Sequence, residues 1–459
     1  MSTVSPDTSP GAPIQGAATD VSVMTVAAVH PRGSAATPSW IAASVTLGAA
    51  IAVSHWVLDY VCGFPGLEIP GGVLIPLLVV SLFGGGWLAG RRSGPAALRA
   101  GFGAGIVATS FDLLALAGVL SRGDSGLSSA SATTLVGFVV GGGVIAALGA
   151  LWGARRPQPT FAASQWLTVY CWVVVAATFA LIMIGGVVTS GEHGLAVPDW
   201  PATYQLNMFL FPREEMVAGI YYEHFHRLFA FFVGLLTLGL TFFLGFVRRT
   251  PRAWALGGAA VLLVLAQAVL GGLRVTMAEN AAENLDNLAS TSLRVVHGVT
   301  GQVFFALLVA VAAGSFARGR REEGRASSGS SPSWMTWVLL AVVGQLVLGA
   351  LVRHVGQSPW LVPHILGAVA VVGIASFAGA RIRKTDREIR ALRLPGTALL
   401  HAVTLQFVLG MTAFFVSKAS PETNVDQLVS TSHHVFGAFV LGLTAYLWTL
   451  TRPVTPPSP

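Results

Sequence analysis

From Trp40 almost to the C-terminus, long uncharged apolar runs alternate with short segments rich in Arg, Pro, Gly and Ser. Twelve such runs fall near residues 41–60, 71–90, 100–120, 133–153, 166–189, 221–247, 254–274, 293–316, 334–353, 361–380, 396–417 and 430–450. Each is close to the ~20 apolar residues that carry a helix across a bilayer. The pattern predicts an all-α, polytopic membrane protein of about twelve transmembrane helices.

The basic residues add an orientation. Arg91, Arg92 and Arg99, then Arg155 and Arg156, Arg248, Arg249 and Arg252, Arg318, Arg320, Arg321 and Arg325, and the run from Arg381 to Arg393 all fall in every second connection. Arg32 and Arg452 belong to the same side. The intervening connections hold only Arg122, Arg213, Arg227, Arg274, Arg294, Arg353 and Lys418. Basic loops stay cytoplasmic, so both termini are expected there. The net charge of +7 is thereby a topology signal and not a nucleic-acid patch.

Composition narrows the class further. With 53% apolar and 10% charged residues, the chain is far from soluble usage, in which roughly a quarter of residues are charged. Two cysteines, Cys62 and Cys171, make neither a disulfide framework nor a thiolate metal site. Residues 1–38 are rich in Ser, Thr, Pro, Ala and Gly and read as a disordered cytoplasmic tail. That tail lacks the Arg-rich, acid-poor character of a mitochondrial transit peptide and the charged start of a signal peptide. A bacterial plasma membrane is the expected address.

The phrases Gln267-Ala-Val-Leu-Gly-Gly, Gln345-Leu-Val-Leu-Gly-Ala and Gln406-Phe-Val-Leu-Gly-Met are one motif written three times, with Ile182-Met-Ile-Gly-Gly a weaker fourth copy. Each precedes a helix that begins near a histidine: His226, His297, His364 or His433. The spacings 226 to 297 and 364 to 433 are nearly equal, which points to a tandem duplication of a four-helix bundle across the last eight helices. The copies differ in one connection. Gly185 to His226 is far longer than Gly349 to His364, and the additional stretch contains Gly194-Leu-Ala-Val-Pro-Asp-Trp-Pro201. The expected division is 1–38 tail, 39–157 N-terminal four-helix membrane region of unassigned role, 158–325 first bundle with its long outer loop, 326–452 second bundle, and 453–459 C-terminal tail.

A single histidine at a helix end is usually interfacial, but four at matching repeat positions point to a shared task. Neutral imidazole is a good axial ligand for haem iron, and bundle interiors hold cofactors between facing helices. Two histidines per bundle would supply both ligands of one haem, whereas zinc would want further ligands, often sulfur or carboxylate. In Glu223-His-Phe-His226-Arg227, Glu223 and His226 share a helix face, which puts the carboxylate beside the candidate iron ligand; a helix N-terminal carboxylate is the alternative reading of Glu223. His224 points elsewhere and reads as outward or interfacial. Arg227, Arg274, Arg294 and Arg353 are candidates for haem carboxylates, with simple snorkelling the alternative. His433 is chosen over His434 because it reproduces the spacing of His297-Gly-Val-Thr-Gly301. His193, His354 and His401 read as structural. Asp112 in mid-span and His55 with Asp59 form a further polar group, for which a carboxylate paired within the helices is the leading reading.

Thr189-Ser-Gly-Glu-His-Gly-Leu-Ala-Val-Pro-Asp-Trp-Pro201, Glu223-His-Phe-His-Arg227 and the Gln-x-x-Leu-Gly phrases resemble the haem A synthase family over about residues 165–450. The resemblance implies oxidation of the C8 methyl of haem O to a formyl group by successive hydroxylations and loss of water, for terminal oxidase biogenesis. It implies haem O as substrate between His226 and His297 with Glu223 beside the reacting centre, and a haem b between His364 and His433. It also implies haem O synthase and terminal oxidase assembly as partners, with the electron donor and any homo-oligomer left open. The cysteine pair that some members carry in the first outer loop is missing, and the helices of 41–153 have no counterpart in the eight-helix family. Two other readings compete: a di-haem b electron carrier, for instance a quinol-oxidising cytochrome, and a duplicated transporter. The carrier leaves Glu223 and the asymmetric loop unexplained. The transporter should place its sites near the bilayer midplane, whereas the histidines lie near the outer ends.

Overall fold

A computed structural model of the chain describes residues 37–67, 69–120, 129–278, 287–322, 334–385, 390–421 and 423–452. The tails expected at 1–38 and 453–459 lie outside these residues, apart from Thr37 and Pro38. Within them are twelve long helices: α1 (Ser39–Cys62), α2 (Gly71–Arg92), α3 (Ala97–Leu120), α4 (Ser129–Gly153), α5 (Ala163–Ser190), α6 (Ala218–Arg248), α7 (Pro251–Thr276), α8 (Leu288–Glu322), α9 (Trp334–His354), α10 (Gln357–Thr385), α11 (Arg390–Ala419) and α12 (Asn424–Leu450). All twelve are long and apolar enough to cross a membrane, and no strand occurs among the described residues. The protein is a multi-pass, all-α membrane protein, as its apolar pattern predicts.

Most helices run past the predicted apolar stretches, because a helix continues into the polar interface after its apolar core ends. Their ends follow local chemistry. Pro251 opens α7 behind Thr250, whose side chain accepts from the Ala253 amide at 3.2 Å, and Thr423 caps α12 in the same way on Asp426. Arg249 closes α6 in the left-handed conformation, with φ 52°. Pro has no amide hydrogen to waste at the first turn, and a side-chain oxygen satisfies one of the unpaired amides there.

Two four-helix rings form the C-terminal part. In the first, α5 packs on α6 and α8, and α7 packs on the same two. In the second, α9 and α11 each pack on α10 and α12. Hence α6 faces α8, and α10 faces α12, across the diagonals. The rings meet where α12 packs on α5 and α8, and α8 on α9. Helices α1 to α4 pack among themselves, and α1 lies against α5 and α6.

One apolar core joins α1 and α3 to the first ring. At its centre Trp56, 1% exposed, stacks on Phe232 with centroids 4.7 Å apart and meets Phe225 and Phe229 edge-on. A second core fills the other ring around Met335, Leu399 and Leu441. Cys62 and Cys171 are buried free thiols.

Candidate functional site: paired histidines under a clasped loop

The four histidines occupy one position in the helix packing. A Cβ placed on Gly185 would stand 3.0 Å from Cε1 of His226, and the equivalent distances are 3.2 Å for Gly271 and His297, 3.0 Å for Gly349 and His364, and 2.8 Å for Gly410 and His433. Each ring thus lies against the glycine of one repeat phrase, on the helix preceding its own, where any larger residue would push it away. This contact separates the adjacent histidines of α12. His433 faces Gly410, whereas His434 faces Gly186 of α5, together with Thr431 and Val435.

In the three phrases that carry one, the glutamine precedes the glycine by four residues and so shares its helix face. Gln345 Nε2 donates to the His364 carbonyl at 2.8 Å and lies 2.9 Å from its Nδ1. Gln406 makes the same pair of contacts to His433, at 3.0 and 3.2 Å. A half-turn of such an amide offers Oε1 to an Nδ1 hydrogen, which leaves Nε2 with the lone pair that a metal takes. In the first ring Gln267 donates to Thr300 at 2.5 Å instead, and Nδ1 of both His226 and His297 is buried without a hydrogen-bond partner. The motif glutamines were legible in the sequence only as a repeat; their fixed offset from the glycine was the signal that they serve the histidine.

The rings of His364 and His433 stand 6.4 Å apart, perpendicular to each other. Two imidazoles sharing one metal through bonds of about 2 Å, with each ring centre about 1 Å behind its nitrogen, have centroids about 6 Å apart. No group of three or more His, Cys, Asp or Glu able to hold a bare metal ion occurs among the described residues. Two protein nitrogens on opposite corners of a ring suit a metal whose remaining positions are filled by its own macrocycle. The residues present fit a haem.

Residues 191–217 form the connection from α5 to α6, whereas only 355–356 separate α9 from α10. The long connection is tied to the helices at nearly every turn. Glu223, 4% exposed, accepts from the Val197 amide at 2.9 Å and from Arg227 Nη2 at 2.6 Å. Arg227 also donates to the carbonyls of Val197, Asp199 and Ala202, at 2.9, 2.6 and 3.2 Å. Asp199 accepts the Tyr204 and Gln205 amides at 2.8 and 2.6 Å, while Trp200 lies against Gly272. The Pro-Asp-Trp-Pro stretch is therefore a built turn, seated on the second glycine of a repeat phrase.

Arg274 Nη1 donates to the Gly194 carbonyl. Glu192 receives Arg294 of α8 at 3.2 Å and Arg353 of α9 at 2.9 Å, and Arg353 also donates to the Thr189 carbonyl. All four arginines singled out in the sequence hold this connection or its Glu192. Within the Thr189–Pro201 phrase nothing in the neighbours of Glu192 marks it as a bridge between the two rings. His224 is 1% exposed, with Nδ1 3.0 Å from Thr203 Oγ1 and its ring beside Phe211. The outward or interfacial placement expected for it is therefore wrong: the long loop covers the helix face on which it lies. His193, inside the loop, stacks on Tyr222 at 4.8 Å, and burial holds its imidazole below the ordinary value.

The N-terminal helices reach this loop as well. Asp59 accepts two hydrogen bonds from Arg213, at 2.9 and 2.6 Å, an ion pair that raises the guanidinium's affinity for its proton. Tyr221 OH donates to the Tyr60 carbonyl at 2.6 Å. The mid-span carboxylate is paired within the helices, as expected: Asp112 Oδ2 lies 2.7 Å from His55 Nδ1.

Fold and site together define a multi-pass helical membrane protein with two histidine-paired four-helix bundles, one of them covered by a clasped loop. Residues 168–361 match the model of a family described as cytochrome oxidase assembly protein. The match takes in the first bundle and the opening of the second, ending just before His364. No curated protein matches the chain at a significant level.

Proposed function

We propose that the chain is a haem A synthase, which takes haem O as substrate between His226 and His297 and keeps a haem b between His364 and His433. The observation that carries this reading is the asymmetry. Four histidines sit against four glycines at one register, yet only the first pair lies under a long loop clasped to a buried carboxylate. A resident electron-transfer group needs only its ligands. A substrate needs, in addition, a cover that keeps water from the reacting edge and groups that recognise it.

When bound, haem b supplies electrons to the oxidation of the substrate's C8 methyl. The chain's own residues do the rest. His226 and His297, on facing helices of the first ring, hold and orient the substrate. Arg227, Arg274, Arg294 and Arg353, which also hold the loop and Glu192, are the cations that would meet its carboxylates. Glu223 holds a negative charge or a proton at the covered edge, where a preorganised charge counts for most. The duplicated bundle, the domain division given above, cytoplasmic termini and a histidine side facing outward in a bacterial plasma membrane belong to the same proposal. So do functional links to haem O synthase and to terminal oxidase assembly.

The test is extraction and chromatography of pigments after expression with a haem O synthase in a host that lacks haem A. Haem A or its hydroxylated intermediate establishes the reaction. Only haem B and unreacted haem O, with electron supply shown to be adequate, would replace it with the di-haem electron carrier.

A further inference from the structure

Helices α1 to α4 lie outside the matched residues 168–361, and the two best-defined polar contacts they make with the loop and α6 gather at the end of α1. Helices in a bilayer gain little from burying apolar surface against one another, so polar and close-packed contacts decide where they dock. Those at the end of α1 fall on the part of the molecule that covers the first histidine pair.

The long connection has two limbs, on either side of the Thr203–Leu206 bridge. The first, 191–202, is tied to Glu223, Arg227 and Arg274, all inside the family match. The second, 207–217, lies between α6 and α1. Phe209 meets Phe231 and Phe211 meets His224, both of α6, while Arg213 donates to both carboxylate oxygens of Asp59, at 2.9 and 2.6 Å. Where this limb, α1, α3 and α6 come together, Trp56, Asp59, Leu114, Phe211, Arg213 and His224 surround about 20 Å³ of free space, room for one water. That is a packed joint and not a ligand pocket.

The same end of α1 holds the first turns of α6. Tyr221 OH donates to the Tyr60 carbonyl at 2.6 Å, and the two rings stack at 5.7 Å. Phe64, just past the end of α1, meets Tyr222 edge-on at 5.2 Å, and Tyr222 in turn stacks on His193 of the first limb at 4.8 Å. A Cβ on Gly63 would stand 3.0 Å from Tyr221 OH and 3.1 Å from Arg213 Nη2, so the chain turns there with no room to spare. Glu223 follows Tyr222 directly. The second ring, with only 355–356 between α9 and α10, has no loop for such a support to hold.

We propose that the N-terminal helices are an internal partner of the long loop: the end of α1 docks the second limb and the first turns of α6, and thereby fixes the cover and Glu223 over the first histidine pair. Asp59, Tyr60 and Phe64 are positioning residues in this scheme. The docking stands on the contacts alone; its effect on substrate binding rests on the function proposed above.

The test is charge reversal in the full-length purified protein. Asp59→Arg sets two guanidiniums against each other, and the exchange with Arg213→Asp restores the pair; Asp59→Asn replaces Asp59→Arg if that variant does not accumulate. Cleavage by protease is mapped separately in 191–202 and 203–217, and haem O is titrated by absorbance. In the single variant, cleavage in 203–217 is expected to rise several-fold and haem O affinity to fall several-fold, with the haem of the second ring retained. The exchange is expected to recover both. Unchanged cleavage in the single variant, or no recovery in the exchange, would overturn the docking. Faster cleavage with unaltered haem O affinity would overturn its effect on the site. A parent chain that binds no haem O would instead fault the proposed function, and cleavage would still decide the docking.

Discussion

Glu223 and Arg227 form a buried ion pair one turn apart on α6, and both side chains also bind the backbone of the loop that passes over them. The carboxylate that stands out in the sequence is thus both a candidate at the reacting edge and a fastening for the cover.

Its two roles separate under substitution. Glu223→Gln keeps an acceptor for the Val197 amide and removes the charge, so haem A formation should be lost while the loop stays protected from protease. Glu223→Ala leaves Arg227 buried and unpaired, a change worth about 3–5 kcal/mol, and should abolish activity while also exposing the loop. Haem b should stay bound in both. Full activity in Glu223→Gln would show that the charge takes no part in the chemistry.

Much of this architecture was legible in the sequence. Apolar length alone placed all twelve helices, because the bilayer imposes one requirement on every span. The four histidines were visible as a repeat. His433 lies against Gly410 as the other three histidines lie against their glycines, whereas His434 does not. What stayed hidden depends on chain returning from a distance. Glu192 bridges two bundles and His224 is covered by Phe211 and Thr203, and neither relation has a period or a spacing to betray it. The arginines show the same limit. Their side of the membrane could be counted, but not their partners, which are mainly loop carbonyls.

The glycines under the rings give a matched pair of outcomes. Gly410→Val places methyl groups where even a Cβ would be 2.8 Å from His433, so under the proposed function the purified protein should lose the absorbance of the haem held by His364 and His433. Gly185→Val should leave that absorbance in place and instead lose haem O binding, read by titrating the purified protein with haem O. Loss of the resident haem in both variants would mean that the bundles do not load independently.

Glu192 is half exposed, with Arg294 and Arg353 on either side. Exposed pairs of this kind contribute no more than about 1 kcal/mol each, so Glu192→Ala should barely alter thermal stability. Under the proposed function it removes a carboxylate that competes with the substrate's for Arg294 and Arg353. Haem O affinity should therefore rise or hold in Glu192→Ala and fall in Arg353→Ala, with the contrast shrinking at high salt. Equal losses of affinity in the two variants would assign the cluster to holding the loop alone.

His193 should make the loop sensitive to acid. Burial against Tyr222 keeps its folded-state pKa below the ordinary 6.5, the nearby Glu192 opposing this only in part. The undocked loop therefore binds the proton more readily than the docked one, and protonation favours release. Docking should be at full strength above about pH 6.5 and weaken as the pH falls below it, with the penalty levelling off once the pH passes the lower, docked value. Proteolysis of residues 191–217 in the intact membrane protein should speed up over that window. His193→Phe, which keeps a ring on Tyr222 but carries no proton, should flatten the profile. A profile unchanged by that substitution would place the acid-sensitive group elsewhere in the loop.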